Sequence, residues 1–276
     1  MTSATAPRDV EPWIESGPVL LEYADHIATL TLNRPKAANG MTIDLMRALY
    51  EAIMRCNREP RVRVVVLRGA GAHFCAGGDV REFAAQGDAI ADFLKEVTAY
   101  LQIAVGGLIH LNAIVVAQGQ GYAAGGGGLG LACAADIVVA GASARFMAGA
   151  TRVGMAPDAG ASVVLQRLVG LRRAMDIMLT NRVVAAQEAL DIGLVTKVVP
   201  DDALPSETMA LARDLANGAP KALAATKRLL WTGVGLGVEA CLPEEARTVA
   251  DLSASADSKE GLRAVIEKRT PRFIGA

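Results

Sequence analysis

The sequence predicts an α/β core followed by a helical tail, and three observations predict it. Short runs rich in β-forming residues alternate with helical patterns up to about Pro200. The stretch from Ala113 to Ala140 joins an apolar run, a glycine-dense turn, a small-residue segment and a second apolar run, the pattern of strand, turn, buried helix and strand. Beyond Pro200, residues 206–216, 220–232, 238–252 and 258–268 all carry helical spacing, with no convincing strand between them. The expected division is a flexible N-terminus over residues 1–17, a core over 18–203 and a helical region over 204–276.

Residues 1–12 hold acids and prolines but no apolar signal core, which predicts a frayed start and a cytoplasmic protein. Val19 to Glu22 and Ile27 to Leu32 are β-rich runs separated by Tyr23-Ala24-Asp25-His26, so they read as a hairpin that Asn33-Arg34-Pro35 ends. Thr42 is placed to cap a helix whose apolar face is Leu45, Leu49, Ile53 and Cys56, and Pro60 closes that segment. Val62 to Leu67 is the next strand, broken by Gly69 to Gly71. Phe74 to Phe83 is a small-residue turn with Asp79 where a helix would start.

A long helical pattern from Ile90 to Leu111 leads to the strand Ile114–Ala117. Gly125 to Gly128 follow as a turn, and the small apolar residues from Leu129 to Ala135 suit a buried helix. Asp136 to Ala140 reads as a strand and Ala144 to Met147 as an edge. Val153 to Gly160 is a loop with turn chemistry at both ends, and Ala161 to Leu168 resumes as helix.

At 276 residues, of which 52% are hydrophobic, the chain can bury a substantial core. A net charge of −1 and the absence of a basic block give no support to a nucleic-acid or anionic-membrane partner, and a small-molecule ligand fits better. No Asp, Glu, Lys or Arg lies between Val97 and Ala135, yet glycines together with Asn112, Gln118 and Gln120 interrupt that stretch too often for a membrane span. The four cysteines show neither metal spacing nor a disulfide pattern, so reduced thiols are expected and no metal site is.

The glycine turn admits three readings. Gly125-x-Gly127-x-x-Gly130 matches the dinucleotide fingerprint and lies between a strand and a helix. That fingerprint also needs an acidic residue ending a second strand about 20 residues on; Asp136 comes too soon and the next carboxylate, Asp158, lies in a Pro-Asp-Ala-Gly loop. The second reading is an oxyanion hole, in which free N–H groups at a helix start hold an oxygen gaining negative charge. The third is close helix packing alone.

Several stretches taken together resemble the crotonase, or enoyl-CoA hydratase/isomerase, superfamily. They are Asn33-Arg34-Pro35-Lys36-Ala37, the Phe74 to Phe83 turn, Gly121 to Asp136, Gly154 to Gly160 with Gln166-Arg167-Leu168-Val169-Gly170, Ala186 to Val195, and Ser258-Lys259-Glu260-Gly261. They occur in the family's order and cover nearly the whole chain. The resemblance implies a spiral of ββα units followed by helices that build a homotrimer, often paired into a hexamer. It also implies an acyl-CoA thioester as substrate, with coenzyme A entering as part of it and no separate cofactor. Two backbone N–H groups, those of Gly78 and Gly127, would hold the thioester oxygen. One residue more than in many relatives lies between Tyr122 and Asp136, so Gly126 and Gly128 are alternatives for the second. Arg34, Lys36 and Arg81, with Ala37, Ala76 and Asp79 beside them, would face coenzyme A. For Asp79 the simpler role is a helix cap, and for the three cations it is a solvated charge.

Hydratases of this family use two glutamates, and here Gly130 and Ala150 stand at those positions. A shift of one residue offers only Leu129, Leu131, Gly149 or Thr151. Asp158 stands where some isomerases and a dehalogenase of the superfamily carry a working aspartate, and its simpler role is to cap the helix starting near Gly160. Ser162 lacks a full nucleophile elbow, His26, His73 and His110 show no partner pattern, and Cys75 has no activating base in sequence. The expected activity is a double-bond shift with Asp158 as acid/base. The alternatives are hydration by a different route and, from another class, an acyl-CoA binding protein without chemistry.

Overall fold

The structure is a computed structural model that describes residues 10–276. The chain opens with strands β1 (Glu11–Ile14), β2 (Val19–Ala24) and β3 (Ile27–Leu32), which pair as an antiparallel meander. Ala24 lies opposite Ile27, and the two turn residues, Asp25 and His26, have φ of 51° and 66°, the twist that suits a two-residue hairpin. The hairpin is therefore as expected, but β1 is an addition: its four residues, read as part of the N-terminal segment, pair with β2. Trp13 stacks on Tyr23 with ring centroids 4.9 Å apart, and Arg55 lies over the Trp13 ring. Residues 1–9, where most of the expected frayed start falls, lie outside the described residues.

Helix α1 (Ile43–Arg58) follows, capped by Thr42, whose hydroxyl accepts the Leu45 N–H at 3.2 Å. It buries Leu45, Leu49, Ile53 and Cys56 as the spacing predicts, together with Met46 and Ala52. Strand β4 (Val64–Gly69) pairs parallel with β3. The short helix α2 (Val80–Ala85) and the 21-residue helix α3 (Ile90–His110) then lead to β5 (Ile114–Gly119), parallel with β4. Strand β6 (Tyr122–Ala124), helix α4 (Gly125–Ala134), β7 (Ile137–Gly141) and β8 (Arg145–Met147) complete the central stretch.

Helices α5 (Ala161–Val169) and α6 (Leu171–Thr180), strand β9 (Val184–Ala185), helix α7 (Ala186–Asp191) and strand β10 (Lys197–Val199) end the alternation near Pro200. The remainder is helical: α8 (Leu204–Ala216), α9 (Pro220–Gly233), α10 (Val238–Ser253) and α11 (Ala256–Glu267).

The strands form two sheets. The larger runs β1-β2-β3-β4-β5-β7-β10, and β3 through β10 within it are parallel. The smaller is β6-β8-β9, so each of β5 and β7 passes its chain on to a strand of the second sheet. The main core fills the space between the sheets and helices α1, α3, α4 and α5. A second apolar layer lies on the other face of the large sheet, where α8 packs Leu204, Ala212 and Ala216 near Val64, Val66, Val116 and Val139. No helix among the described residues is long and apolar enough to cross a membrane.

One polar knot joins the helical tail to this core. Lys227 of α9, 5% exposed, donates to Asp136 at 2.8 Å, to Leu108 O in the last turn of α3 at 2.8 Å and to Ala113 O at 3.1 Å. Asp136 also accepts from Val115 N and from the Trp231 indole. The carbonyl of Leu108 is one that a helix end leaves without a partner, and a buried ammonium satisfies it.

Candidate active site

The two glycine turns singled out in the sequence are brought together by backbone pairing. The loop after β4 runs beside β6: Cys75 N–H donates to Tyr122 O at 3.1 Å, and Ala124 N–H returns to Cys75 O at 2.8 Å. Beyond that bridge the chains touch at Gly77 and Gly125, where a β-carbon on either residue would come within 2.9 Å of the other's α-carbon. Only glycine permits that approach. Residues 40–42 flank the same loop: Met41 N–H donates to Gly77 O at 2.8 Å, and Asp79 N–H donates to Met41 O at 3.0 Å. In a parallel bridge of this kind the bonds go to the neighbours of Gly78, so its own N–H is turned away from Met41.

Helix α4 starts earlier than the sequence suggested, at Gly125 and not at Leu129, with Ala124 as its N-cap. The first three amides of such a helix, those of Gly125, Gly126 and Gly127, have no acceptor four residues back, whereas Gly128 has Ala124 O. Of the three positions open for a second donor, the helix therefore leaves Gly126 and Gly127 with N–H groups free of the helical ladder. They lie beside the Gly77–Gly78 turn because Gly125 touches it.

Asp158 reaches the same place from the other side. Its Oδ1 occupies the position that a β-carbon on Gly126 would take. The helix-capping role is not what the side chain performs: α5 has Gly160 as its N-cap without a side-chain cap bond, and it is Asp158's backbone carbonyl that accepts from Ala161 N–H at 2.9 Å. Burial pushes the Asp158 carboxyl above its ordinary value, against a smaller opposing effect of its own backbone N–H.

Gly130 is buried against the methyl of Ala159, and Ala150 opens a single 3-10 turn at the edge of the same region. Neither supplies a carboxylate. The Gly126–Gly127 turn, Asp158 and the Gly78 turn are thus one constellation, and no second acid from positions 130 or 150 joins it.

Arg34, Lys36, Ala37, Ala76, Asp79 and Arg81 line a single cleft of about 940 Å³ that also reaches Gly78. Arg34 pairs with Asp79 at 3.0 Å and donates to Gly40 O. Asp79 caps α2, accepting from Arg81 N–H at 3.2 Å and Glu82 N–H at 3.3 Å, as its simpler reading predicted. Burial acts to raise the Asp79 carboxyl, but the Arg34 guanidinium and the helix amides outweigh it and hold the group below its ordinary value. Cys75, buried, is pushed up to about 12 by desolvation, so it is a packing thiol and not a nucleophile.

Sequence reasoning missed three residues here. Asn39 is wholly buried and hydrogen-bonded on all sides, Met41 lies against Gly127, and the Phe83 ring lies against Gly78. Their signal is in tertiary contact, and single-sequence spacing carries none of it.

Whole-chain comparisons identify the family to which this fold and sequence belong. The family model for enoyl-CoA hydratase/isomerase matches residues 22–276. A protein of Rhodobacter capsulatus named "Probable enoyl-CoA hydratase" is 37% identical over 92% of this chain and 96% of its own. The 1,2-epoxyphenylacetyl-CoA isomerase of Escherichia coli is 32% identical over 93% of this chain and 98% of its own. The crystal structure of an enoyl-CoA hydratase from Bacillus anthracis superposes with a TM-score of 0.89 at 31% identity, over 94% of this chain and all of that one. A family model matched over residues 22–276 and relatives more than 30% identical along nearly the full length place this chain in the enoyl-CoA hydratase/isomerase family of the crotonase superfamily.

Proposed function

We propose that this enzyme shifts a double bond within an acyl-CoA thioester, with Asp158 as its single acid/base. The thioester oxygen is held by the Gly78 N–H and by that of Gly126 or Gly127. The observation that carries this reading is the Asp158 carboxylate set directly over Gly126, at the open N-terminus of α4, with no carboxylate at Gly130 or Ala150.

The chemistry follows from the charge that must be stored. Ionised Asp158 takes a proton from the α-carbon of a 3-enoyl thioester, and the electron pair delocalises through the double bond onto the thioester oxygen. Preorganised N–H donors at that oxygen are worth roughly 3 kcal/mol each. Protonated Asp158 then returns its proton at the γ-carbon, giving the 2-enoyl isomer. No atom is gained or lost, so one base suffices. Coenzyme A lies along the cleft of Arg34, Lys36 and Arg81, where cations meet its phosphates.

A second reading, hydration of a 2-enoyl-CoA, is favoured by the name of the Rhodobacter capsulatus relative. Gly130 and Ala150 oppose it, since neither can position or deprotonate water. The deciding experiment assays the wild type with 3-enoyl-CoA and 2-enoyl-CoA substrates, and then Asp158→Asn. Isomerisation in the wild type, slow or absent hydration, and a loss of about 100-fold or more in the variant are expected. Fast hydration without isomerisation of any enoyl-CoA would promote the second reading. Binding of acyl-CoA without any turnover would make the chain a silent binding protein.

The helical tail is proposed to assemble the chain into a homotrimer or hexamer. Its helices leave apolar side chains exposed, among them Leu230 and Val234.

A further inference from the structure

Asn39 stands at the meeting point of the cleft loop and the loop that carries Gly78. Its side chain is 0% exposed, and its backbone holds the left-handed conformation, φ 55°, that Asn tolerates better than most residues. Oδ1 accepts the Arg34 N–H at 2.9 Å. Nδ2 donates to Ala70 O at 3.0 Å, His73 O at 2.8 Å and Phe74 O at 3.1 Å. An amide of this kind has two N–H donors, so both are spent on the three carbonyls, one of them shared, while the carbonyl oxygen takes the Arg34 N–H.

The surrounding backbone extends that clamp toward the site. Ala38 O accepts Ala76 N–H at 3.0 Å, Asn39 O accepts the Cys75 thiol at 3.2 Å, and Met41 brackets Gly78 through Gly77 O and Asp79 N. Between Ala70 and Asp79 the loop is therefore held at several points by the segment 38–41, and the Asn39 side chain supplies the contacts to Ala70, His73 and Phe74. Alanine or leucine at this position would remove the partner of three loop carbonyls and of the Arg34 amide, the Phe74 carbonyl among them being buried.

We propose that Asn39 is a positioning residue for turnover: it sets the direction of the Gly78 N–H toward the reacting oxygen and ties it to the start of the Arg34 cleft. This rests on the reading of Gly78 as an oxyanion donor. It does not depend on whether the reaction is isomerisation or hydration, because both load charge on the same thioester oxygen.

The test uses Asn39→Asp, which keeps size and the acceptor but loses the donors, and Asn39→Gly, which keeps the backbone conformation and loses every side-chain bond. Both are assayed by kcat and KM on the acyl-CoA reaction that the wild type performs, well below the melting temperature of each folded variant. The expected result is a fall in kcat of tenfold or more with KM changed less than threefold. A purely structural residue lowers the melting temperature and leaves kcat of the folded protein alone. Two folded variants with kcat within twofold of wild type overturn the proposal, and so does a failure of both to fold, which would leave Asn39 a structural role only. Gly78→Pro serves as the control: turnover kept there sinks the oxyanion reading itself, whereas turnover lost there but kept in the Asn39 variants sinks the Asn39 proposal alone.

Discussion

The Oδ1 atom of Asp158 fills the space that a side chain on Gly126 would need. A glycine inside the first turn of a helix costs about 1 kcal/mol relative to alanine, so alanine at this position should favour α4 if nothing stood beside it. The carboxylate stands there. Gly126→Ala is expected to fold, to bind acyl-CoA and to lose about tenfold or more in turnover, as the methyl pushes the carboxylate off the helix start. Steady-state kinetics with a binding measurement on the same protein check this. An alanine variant with wild-type kcat would separate Asp158 from the reaction.

The raised pKa of Asp158 predicts two pH effects. The group must be ionised to take a proton, so kcat/KM should fall on the acid side with a midpoint above the ordinary aspartate value of 3.8, because burial disfavours the anion. A carboxyl whose folded pKa is raised binds more protons folded than unfolded, so stability is lost as pH rises from 3.8 through the folded value. Asp158→Asn removes that loss. Its melting temperature should exceed that of the wild type at neutral pH and converge with it in acid. A variant less stable than wild type at pH 7 would mean that the carboxylate is structural.

Positions 130 and 150 differ in what they can accept. Ala159 occupies the space beside Gly130, whereas Ala150 is only half-buried at the start of a 3-10 turn. Gly130→Glu is expected to lose about 1–3 kcal/mol or more through overpacking. Ala150→Glu should stay within about 1 kcal/mol of wild type, the range of a partly exposed substitution. Neither alone should produce fast hydration, since each supplies one glutamate of two. Denaturant titration together with a hydration assay tests both halves.

How far the sequence could be read follows from what each element depends on. Strand β3 is legible as an unbroken run of β-forming residues buried at every position, the face of α1 because burial imposes its spacing locally, and Thr42 declares the helix start through a bond three residues long. Strands β6, β9 and β10 are two or three residues each, too short for any period to show. Strand β1 carries Glu11 and Pro12 and is held by Trp13 against Tyr23, a contact that local propensity does not contain. Gly125 to Gly128 read as a turn because four glycines argue against helix; close contacts with Gly77, Asp158, Met41 and Cys75 decide otherwise. At the site, the resemblance pointed to Asp158 and Gly78. Asn39 gave no sign, since its three acceptors lie 31 to 35 residues further along the chain.

The tail predicts an assembly. Val265 is 78% exposed and Ile266 81%, and Leu230, Val238 and Leu262 are also open, a burden that a lone helical appendage would leave wet. Light scattering on the full chain is expected to give three or six copies at micromolar concentration. Ile266→Glu should shift that equilibrium toward smaller species if α11 lies in the interface. A stable monomer in the wild type would reject the assembly.

Lys227 gives the last test, one of stability and of how the tail is joined to the site. Its side chain is 3% exposed, and the ammonium meets Asp136, whose carboxylate immediately follows the C-terminal end of α4. A negative charge next to that helix end is unfavourable by itself, and Lys227 offsets it while satisfying Leu108 O and Ala113 O. Desolvation lowers the Lys227 pKa and the Asp136 charge opposes that, so the pair is held together against the cost of burial. Lys227→Met leaves a buried carboxylate without its cation and is expected to cost about 3–5 kcal/mol. Combining it with Asp136→Asn removes the stranded charge, so the double variant should lose less than Lys227→Met alone. Chemical denaturation of the wild type, Lys227→Met, Asp136→Asn and the double variant measures this directly. A double variant as unstable as the sum of its parts would show that the two residues act independently, and the tail would then be joined to α4 by packing and not by this pair.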